Sequence, residues 1–313
     1  MFIVKNKKIF ISISATLVIL SIVSLFVFGL NIGIDFRGGA LTEIVYPDSR
    51  PAQADLDLAL KNLGIGSVLI QPTGSTDSHG RPGQGRETTG DLGYIVKSPD
   101  LNEEQHSLLL KTLSQDGKSM LEEKSFNSIG PSVGRELTRK AVIAIVLVSL
   151  GIVLFIAFAF RRVSYPVSSW KYGLMAIVSL LHDVIIPIGL FAVLGHFYGA
   201  EADTLFVVAA LTILGLSVSD TIVIFDRIRE NLKNKIGNSF GETVGKSLDQ
   251  SYMRSIFTSF TVIIVLLSLF FFGPESTKYF ALMLTAGMFF GTYSSIFLAS
   301  PLLVLIEQWQ RKK

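Results

Sequence analysis

Three charged side chains stand inside long apolar runs of this 313-residue sequence, and they are the ones whose position could do chemistry: Asp183, Asp220 and Arg254. On insertion scales a charge at mid-bilayer costs roughly 3 kcal/mol, so each implies a polar partner or a task. Asp220 lies about six residues, roughly 9 Å along a helix, from the end of its run near Asp226. Arg254 opens the following run from the same end, so the two are expected to meet at one depth. A carboxyl beside a guanidinium gives up its proton readily, and one from which that charge has been withdrawn keeps it. Alternation between these arrangements would let Asp220 take a proton from one side of a membrane and release it on the other. A fixed ion pair joining two helices needs the same residues, and spacing alone leaves both readings open. Ser217, Ser219 and Thr221 offer hydroxyls that could line a water path or satisfy backbone groups between packed helices. His182 precedes Asp183, and neighbouring residues point different ways on a helix, so at most one of them is expected to face the partner of Asp220. For that pair the sequence allows a buried polar contact or a proton relay.

These residues need helices to hold them at depth. Hydrophobic residues make up 49% of the chain and charged residues 17%, with mean hydropathy +0.51, too apolar for a soluble protein of this length. Runs able to cross about 30 Å of hydrocarbon, roughly 20 residues as helix, recur through the chain. There are six, at 9–30, 140–160, 172–194, 204–225, 254–272 and 279–306. Lys5, Lys7 and Lys8 before the first run suggest a secretory signal. The run is longer than a signal core, however, and no small-x-small site follows before Asp35, so an uncleaved anchor is expected. Lys and Arg near span ends stay cytoplasmic. They gather before the first run, at Arg161, Arg162 and Lys171, at Arg227, Arg229, Lys233, Lys235 and Lys246, and at Arg311, Lys312 and Lys313. The opposite short loops, 195–203 and 273–278, hold only Lys278, which predicts that both termini are cytoplasmic.

The expected organisation is a cytoplasmic N-terminus and first span over 1–30, an extracytoplasmic domain over 31–139, a five-helix transmembrane bundle over 140–306 and a cytoplasmic tail over 307–313. The hydrophilic segment reads strand, helix, strand, strand, helix, strand. Strands fall at 39–46, 66–71, 92–98 and 120–129, and helices pass through Leu56, Leu60 and Leu63 and over 102–113. That order predicts a ferredoxin-like α+β (βαββαβ) sandwich, in which two helices cover one face of a four-stranded sheet. Residues 72–90, rich in Gly, Ser, Thr, Pro and Arg, show no periodic apolar face and read as a mobile loop. His79 in that loop and His106 on the outer side of the second helix have no partner at metal-ligand spacing and read as solvated histidines.

Other signals are weaker. Gly287 and Gly291 form a G-x-x-x-G that permits close helix approach. Asp226, Arg227, Arg229 and Glu230 cluster at a helix end and are expected to pair among themselves, while 241–254 reads as a short amphipathic segment on the cytoplasmic surface. Cysteine is absent, which excludes disulfides, thiol catalysis and thiolate metal sites. The net charge of +3 and pI near 9.0 come from basic residues that topology already explains. With no basic patch interleaved with aromatics, membrane lipid and not nucleic acid is the expected contact.

Three longer motifs carry a family likeness. They are Gly33-Ile34-Asp35-Phe36-Arg37-Gly38-Gly39 after the first span, Ser128-Ile129-Gly130-Pro131-Ser132-Val133-Gly134-Arg135-Glu136-Leu137 before the second, and the run from Ser217-Val218-Ser219-Asp220-Thr221 to Asp226-Arg227-Ile228-Arg229-Glu230-Asn231 in the fourth. With Leu181-His182-Asp183 in the third span, they resemble in order the signatures of the SecD/SecF family of protein-export membrane proteins. The likeness covers the whole chain and marks Asp35, Gly38, Gly39, Gly130, Pro131, Asp226 and Arg227 as motif residues. It implies a membrane part like that of the resistance-nodulation-division transporters. It further implies pairing with SecD and work beside the SecYEG translocon and YajC on unfolded preproteins, in a bacterial inner membrane with the domain in the periplasm. No enzymatic step and no cofactor are implied; the drive is a gradient of H⁺, or of Na⁺, since a membrane carboxylate can serve either. Carried over by position, Asp220 looks like the membrane carboxylate of the ion path and Arg254 like its basic partner; Asp183 joins the expected path as a charge at membrane depth and not through the likeness. Two other readings remain: a subunit that only stabilises SecD and the translocon, and an intramembrane aspartyl protease using Asp183 and Asp220. The second lacks the Gly-x-Gly-Asp element of such enzymes and leaves the outer domain without a purpose.

Overall fold

A computed structural model describes residues 2–73, 92–159 and 167–311. His79 and the rest of the loop expected at 72–90, apart from Pro72 and Thr73, lie outside the described residues, as do Arg161, Arg162, Lys312 and Lys313. In chain order the elements are α1 (Phe2–Lys5), α2 (Lys7–Phe28), α3 (Ile34–Arg37), β1 (Gly39–Val45), α4 (Gln53–Lys61), β2 (Leu69–Thr73), β3 (Gly93–Ser98), α5 (Glu103–Leu113), β4 (Glu122–Ile129), α6 (Pro131–Ala159), α7 (Ser169–Tyr198), α8 (Thr204–Lys233), α9 (Phe240–Phe272), α10 (Glu275–Ser294), a π-helical turn (Ser295–Ala299) and α11 (Ser300–Arg311). They form two compact units, Ile32–Lys140 and Met1–Asn31 with Ala141–Lys313.

In the first unit the strands lie in the order β2-β3-β1-β4 with every neighbouring pair antiparallel, which is the ferredoxin-like arrangement. Alternation along β1 buries Ala40, Thr42 and Ile44 on one face. Leu56 and Leu60 of α4 and Leu109 and Leu113 of α5, each pair one turn apart, close that face together with Ile70, Tyr94 and Val96. A capping box opens α5: Asn102 Oδ1 accepts from Gln105 N at 2.8 Å, and Gln105 Oε1 from Asn102 N at 3.1 Å. Tyr46 donates its hydroxyl to Leu113 O at 2.8 Å, and burial, reinforced by Tyr94, keeps its phenol protonated well above the ordinary range. Burial raises Tyr94 too, against the opposing charge of Arg50, which lies 5.0 Å over its ring.

Two details differ from expectation. The second strand runs from Leu69 through Pro72 to Thr73, later than 66–71, because β2 is an edge strand where proline opposite Tyr94 sacrifices no inner ladder bond. His106 is no solvated histidine: its ring stacks on Phe126 with centroids 3.7 Å apart, and its Nε2 lies 3.0 Å from Glu123 Oε1. The ends of this unit meet where the motif glycines stand. A Cβ on Gly38, whose φ is +82°, would come 2.9 Å from the Pro131 Cα, and one on Gly134 2.9 Å from Phe36 O. Pro131 opens α6, where its missing N–H costs nothing.

The second unit supplies the apolar helices, and among the described residues six stretches are long and apolar enough to cross a membrane: α2, α6, α7, α8, α9 and the last run from Ser276 to Arg311. Half of the apolar stretch of α7 and 56% of that in the last run are buried inside the protein, against 6% for α2 and for α6, so α7, α8 and the last run form the centre. Helix boundaries depart from expectation in three ways. α6 starts at Pro131 and not at 140; residues 241–254 are the first turns of α9 and not a separate surface segment; and the last span is interrupted by the π-helical turn. Pro301 has no N–H for the Phe297 carbonyl, and the widened turn just before it takes up that mismatch, with Ser300 Oγ donating to Ser295 O at 3.1 Å.

Candidate functional site

Close helix approach makes the site possible. On α10, a Cβ at Gly287 would fall 2.3 Å from Ile213 Cγ1 and one at Gly291 3.3 Å from Ser217 Cβ, so the glycine pair seats α10 on α8. On α9 the small residues Ser247, Ser251, Ser255 and Ser259 recur every fourth position and are buried, while Tyr252, Met253 and Arg254 between them are exposed. This rail was missed by reading only charges; a four-residue serine spacing in an apolar helix is the signal that could have revealed it.

Asp183 sits on α7 and is fully buried. Its Oδ1 lies 2.8 Å from His182 Nδ1, and its Oδ2 accepts from Ser294 Oγ of α10 at 2.6 Å and from Ser217 Oγ of α8. Ser179, one turn earlier, donates to Ser294 Oγ at 2.9 Å. One carboxyl therefore ties three helices together. His182 and Asp183 turn toward each other, contrary to the expectation that neighbours on a helix face apart. Pro187, four residues on, cannot donate to the Asp183 carbonyl, which loosens the helix at this depth.

Asp220 is half-buried on the flank of α8, beside the inward stripe of Ser217, Thr221, Ile224 and Ile228. It accepts from Ser255 Oγ at 3.3 Å, and Thr292 reaches the same carboxyl. Thr292 and Ser259 are themselves hydrogen-bonded, and Thr221 Oγ1 lies 2.8 Å from Ser295 Oγ. Arg254 is near enough for its charge to act on Asp220, yet its side chain is exposed and no ion pair joins the two among the described residues. Asp183 and Asp220 thus keep separate hydroxyl partners, brought into one polar seam by α8 and α10.

The motif residues play structural parts. Asp35 lies in the first turn of α3, Gly38 and Gly39 carry the chain from α3 into β1, and Gly130 leads to Pro131 at the head of α6. In α8, Asp226 pairs with Arg229 at 2.5 Å and Arg227 with Glu230 at 2.7 Å, as expected for that cluster. Among the described residues no group of His, Asp and Glu side chains could hold a metal ion.

These features define a class: a multi-span membrane protein with a ferredoxin-like domain inserted after its first span and a hydroxyl-lined carboxylate seam through its helices. Comparison with known proteins narrows it. The family described as "Protein export membrane protein SecD/SecF, C-terminal" matches residues 109–309, and the SecD/SecF GG motif matches residues 23–46. The protein translocase subunit SecF of Thermobaculum terrenum is 42% identical over 99% of this chain and 94% of its own length. That of Anaerolinea thermophila is 32% identical over 97% and 94%. A crystal structure of SecDF from Thermus thermophilus, a translocon-associated membrane protein, superposes with a TM-score of 0.77 at 30% identity over 98% of this chain. The present chain spans 38% of the length of that SecDF chain. The chain belongs to the SecD/SecF family of protein-export membrane proteins, and its curated relatives carry the SecF name.

Proposed function

We propose that this chain is the SecF subunit of an accessory complex of the Sec translocon, which with SecD uses an ion gradient to draw preproteins outward across a bacterial inner membrane. Support for the partnership comes from relatives in which both halves form one chain, such as the SecDF of Brucella abortus, 32% identical over 90% of this chain and 34% of its own length. In this reading both termini are cytoplasmic and the ferredoxin-like domain is periplasmic. SecYEG, YajC and unfolded preproteins are the partners. The chain carries out no covalent chemistry and needs no cofactor, and H⁺ or Na⁺ supplies the drive.

One observation carries the reading: a half-buried Asp220 held by hydroxyls, with Arg254 within reach of its charge but not bonded to it. A carboxyl locked in an ion pair could not exchange its ion, and one with no counter-charge nearby would not release it. Arg254 free to approach and withdraw supplies both states. Replacing Asp220→Asn removes the exchangeable charge at nearly constant size. Gradient-dependent export is expected to be lost while the complex with SecD stays assembled, and normal export by that variant would refute the reading. Export lost only because the complex falls apart would favour the purely structural subunit. Proteolysis by an Asp183 and Asp220 pair is disfavoured, because carboxyls that share a proton must share a hydrogen bond, and these two bond to different hydroxyls.

A further inference from the structure

The His182 and Asp183 pair is left unexplained by Asp220 and Arg254. Both side chains are sealed inside the bundle, at 3% and 0% exposure. A lone carboxylate there is strongly disfavoured unless a positive charge accompanies it. Ser217 and Ser294 contribute dipoles and no charge. Titratable groups with described side chains on the elements packed against α7 are Lys7 and Lys8 at the start of α2, Asp220 with Asp226, Arg227, Arg229, Glu230 and Lys233 on α8, Lys278, Tyr279 and Tyr293 on α10, and Glu307 with Arg311 on α11. The membrane half of α6, 141–159, and the π-helical turn carry none. Of these, Tyr293 is the one that faces the pair, its ring stacked 6.2 Å from that of His182, while Asp220 turns to Ser255 and Thr292. The charge that can balance Asp183 is therefore the imidazolium of His182 itself.

Its second nitrogen completes the case. Nδ1 is committed to Asp183, whereas Nε2 is buried with no hydrogen-bond partner among the described residues. A buried orphan nitrogen costs stability unless something comes to it. The oxygens around Asp183 lie at hydrogen-bond distances from each other, 2.6 Å from Ser294 and 2.9 Å from Ser294 to Ser179, the spacing of groups that share protons and not of ligands spread around a metal ion.

We propose that His182 and Asp183 form a second, occluded proton site, distinct from Asp220, with Nε2 of His182 as the port through which its proton is exchanged. The dyad holds one proton in either form, as imidazolium with carboxylate or as imidazole with carboxylic acid. In release, the Nε2–H bond of the imidazolium breaks and its proton passes to a water molecule that enters there, leaving imidazole with its Nδ1–H on the carboxylate; that uncompensated charge is tolerated only while the water is present, which keeps the proton occluded otherwise, and uptake is the reverse. Ser217 and Ser294 are positioning residues: they bond the carboxylate and so tie the protonation of α7 to the seating of α8 and α10, the helices that carry Asp220 and its partner Thr292. The inference deepens the ion-coupled reading of Asp220 and rests on it.

Infrared difference spectra of the full chain with SecD in lipid vesicles, recorded on a pH step in sodium-free buffer, test it. Of the carboxyl bands seen in the wild type, one should persist in Asp220→Asn, be missing from Asp183→Asn, and move in frequency in Ser294→Ala and Ser217→Ala. The paired imidazole signal should vanish in His182→Gln. Gradient-driven export by His182→Gln should show a pH profile displaced by about one unit or more, equivalent to a tenfold change in proton affinity. Wild-type and Asp183→Asn spectra that superimpose would overturn the proposal, as would a His182→Gln profile identical to wild type. If Asp183→Asn does not insert, the serine variants decide: an unmoved carboxyl band overturns it. Loss of export in Asp220→Asn beside an unaltered His182→Gln profile sinks the dyad and leaves the role of Asp220 intact. Normal export in Asp220→Asn sinks that role and leaves the infrared spectra to judge the dyad.

Discussion

Gly189→Ala gives a sharp test of how the bundle is packed. Gly189 of α7 faces α2, and a Cβ there would stand 2.4 Å from Ser21 Cβ, 2.5 Å from Ser21 Cα and 2.7 Å from Ser21 O. Two of those atoms are backbone, so no rotamer change relieves the clash, and α2 must move away from α7. Movement also breaks the bond from Ser24 Oγ to Gly189 O, now 2.8 Å. Overpacking of this kind costs about 1–3 kcal/mol, and an interhelical hydrogen bond in a membrane about 0.6 kcal/mol. The sum is a loss of about 2–4 kcal/mol. Gly287→Ala should cost a comparable amount, because its clash is with the γ and δ carbons of Ile213, a buried β-branched side chain that a helix holds to one rotamer. Gly215→Ala meets nothing within 4 Å and should be neutral or slightly stabilising through helix propensity. Unfolding of the reconstituted protein in mixed micelles measures all three. A Gly189→Ala variant as stable as Gly215→Ala would show that the α2 and α7 packing is wrong.

Two further outcomes concern the ferredoxin-like unit. Tyr46 and Tyr94 titrate higher folded than unfolded, so the stability they confer is complete below about pH 10, the value of the unfolded phenol, and is lost as pH rises toward the folded values. Tyrosinate absorbance followed with hydrogen exchange of β1 and β3 should therefore show the unit loosening only above that pH, less steeply in Tyr46→Phe; loosening unchanged by that substitution would contradict the assignment. Asn102→Ala removes the capping box of α5 and should lower stability by about 1 kcal/mol, seen as faster amide exchange in the first turn of α5. Unaltered exchange there would count against the cap.

Much of the architecture is written in local pattern. Long apolar runs mark all six spans, and the alternation through Ala40, Thr42 and Ile44 with the pairs Leu56 and Leu60, Leu109 and Leu113 marks the βαββαβ order. What pattern could not show depends on contacts distant in sequence. The start of α6 at Pro131 and the fusion of 241–254 to α9 escape a hydropathy reading, because helices continue past the membrane where polar residues find partners, as Asn231 does with Ser247 at 2.8 Å. The displaced β2 escapes because proline is legible as a breaker but not as an edge residue. At the site, the charges Asp183, Asp220 and Arg254 announce themselves, whereas Ser217, Ser294, Ser255 and Thr292 are ordinary residues of membrane helices until the fold brings them to a carboxyl. The bond between His182 and Asp183 could not be inferred from helix geometry alone, since it depends on the rotamers chosen by both neighbours.

In the function proposed above, Asp220 is the exchangeable charge that couples an ion gradient to movement. Its most direct test is preprotein export into inverted vesicles containing this chain, SecD and the translocon, with a proton or a sodium gradient imposed in turn, for wild type, Asp220→Asn and Asp220→Glu. One gradient should accelerate export by the wild type, neither should do so for Asp220→Asn, and Asp220→Glu, which keeps the carboxyl, should restore part of the effect. Equal acceleration of the wild type and Asp220→Asn by the same gradient would contradict the account.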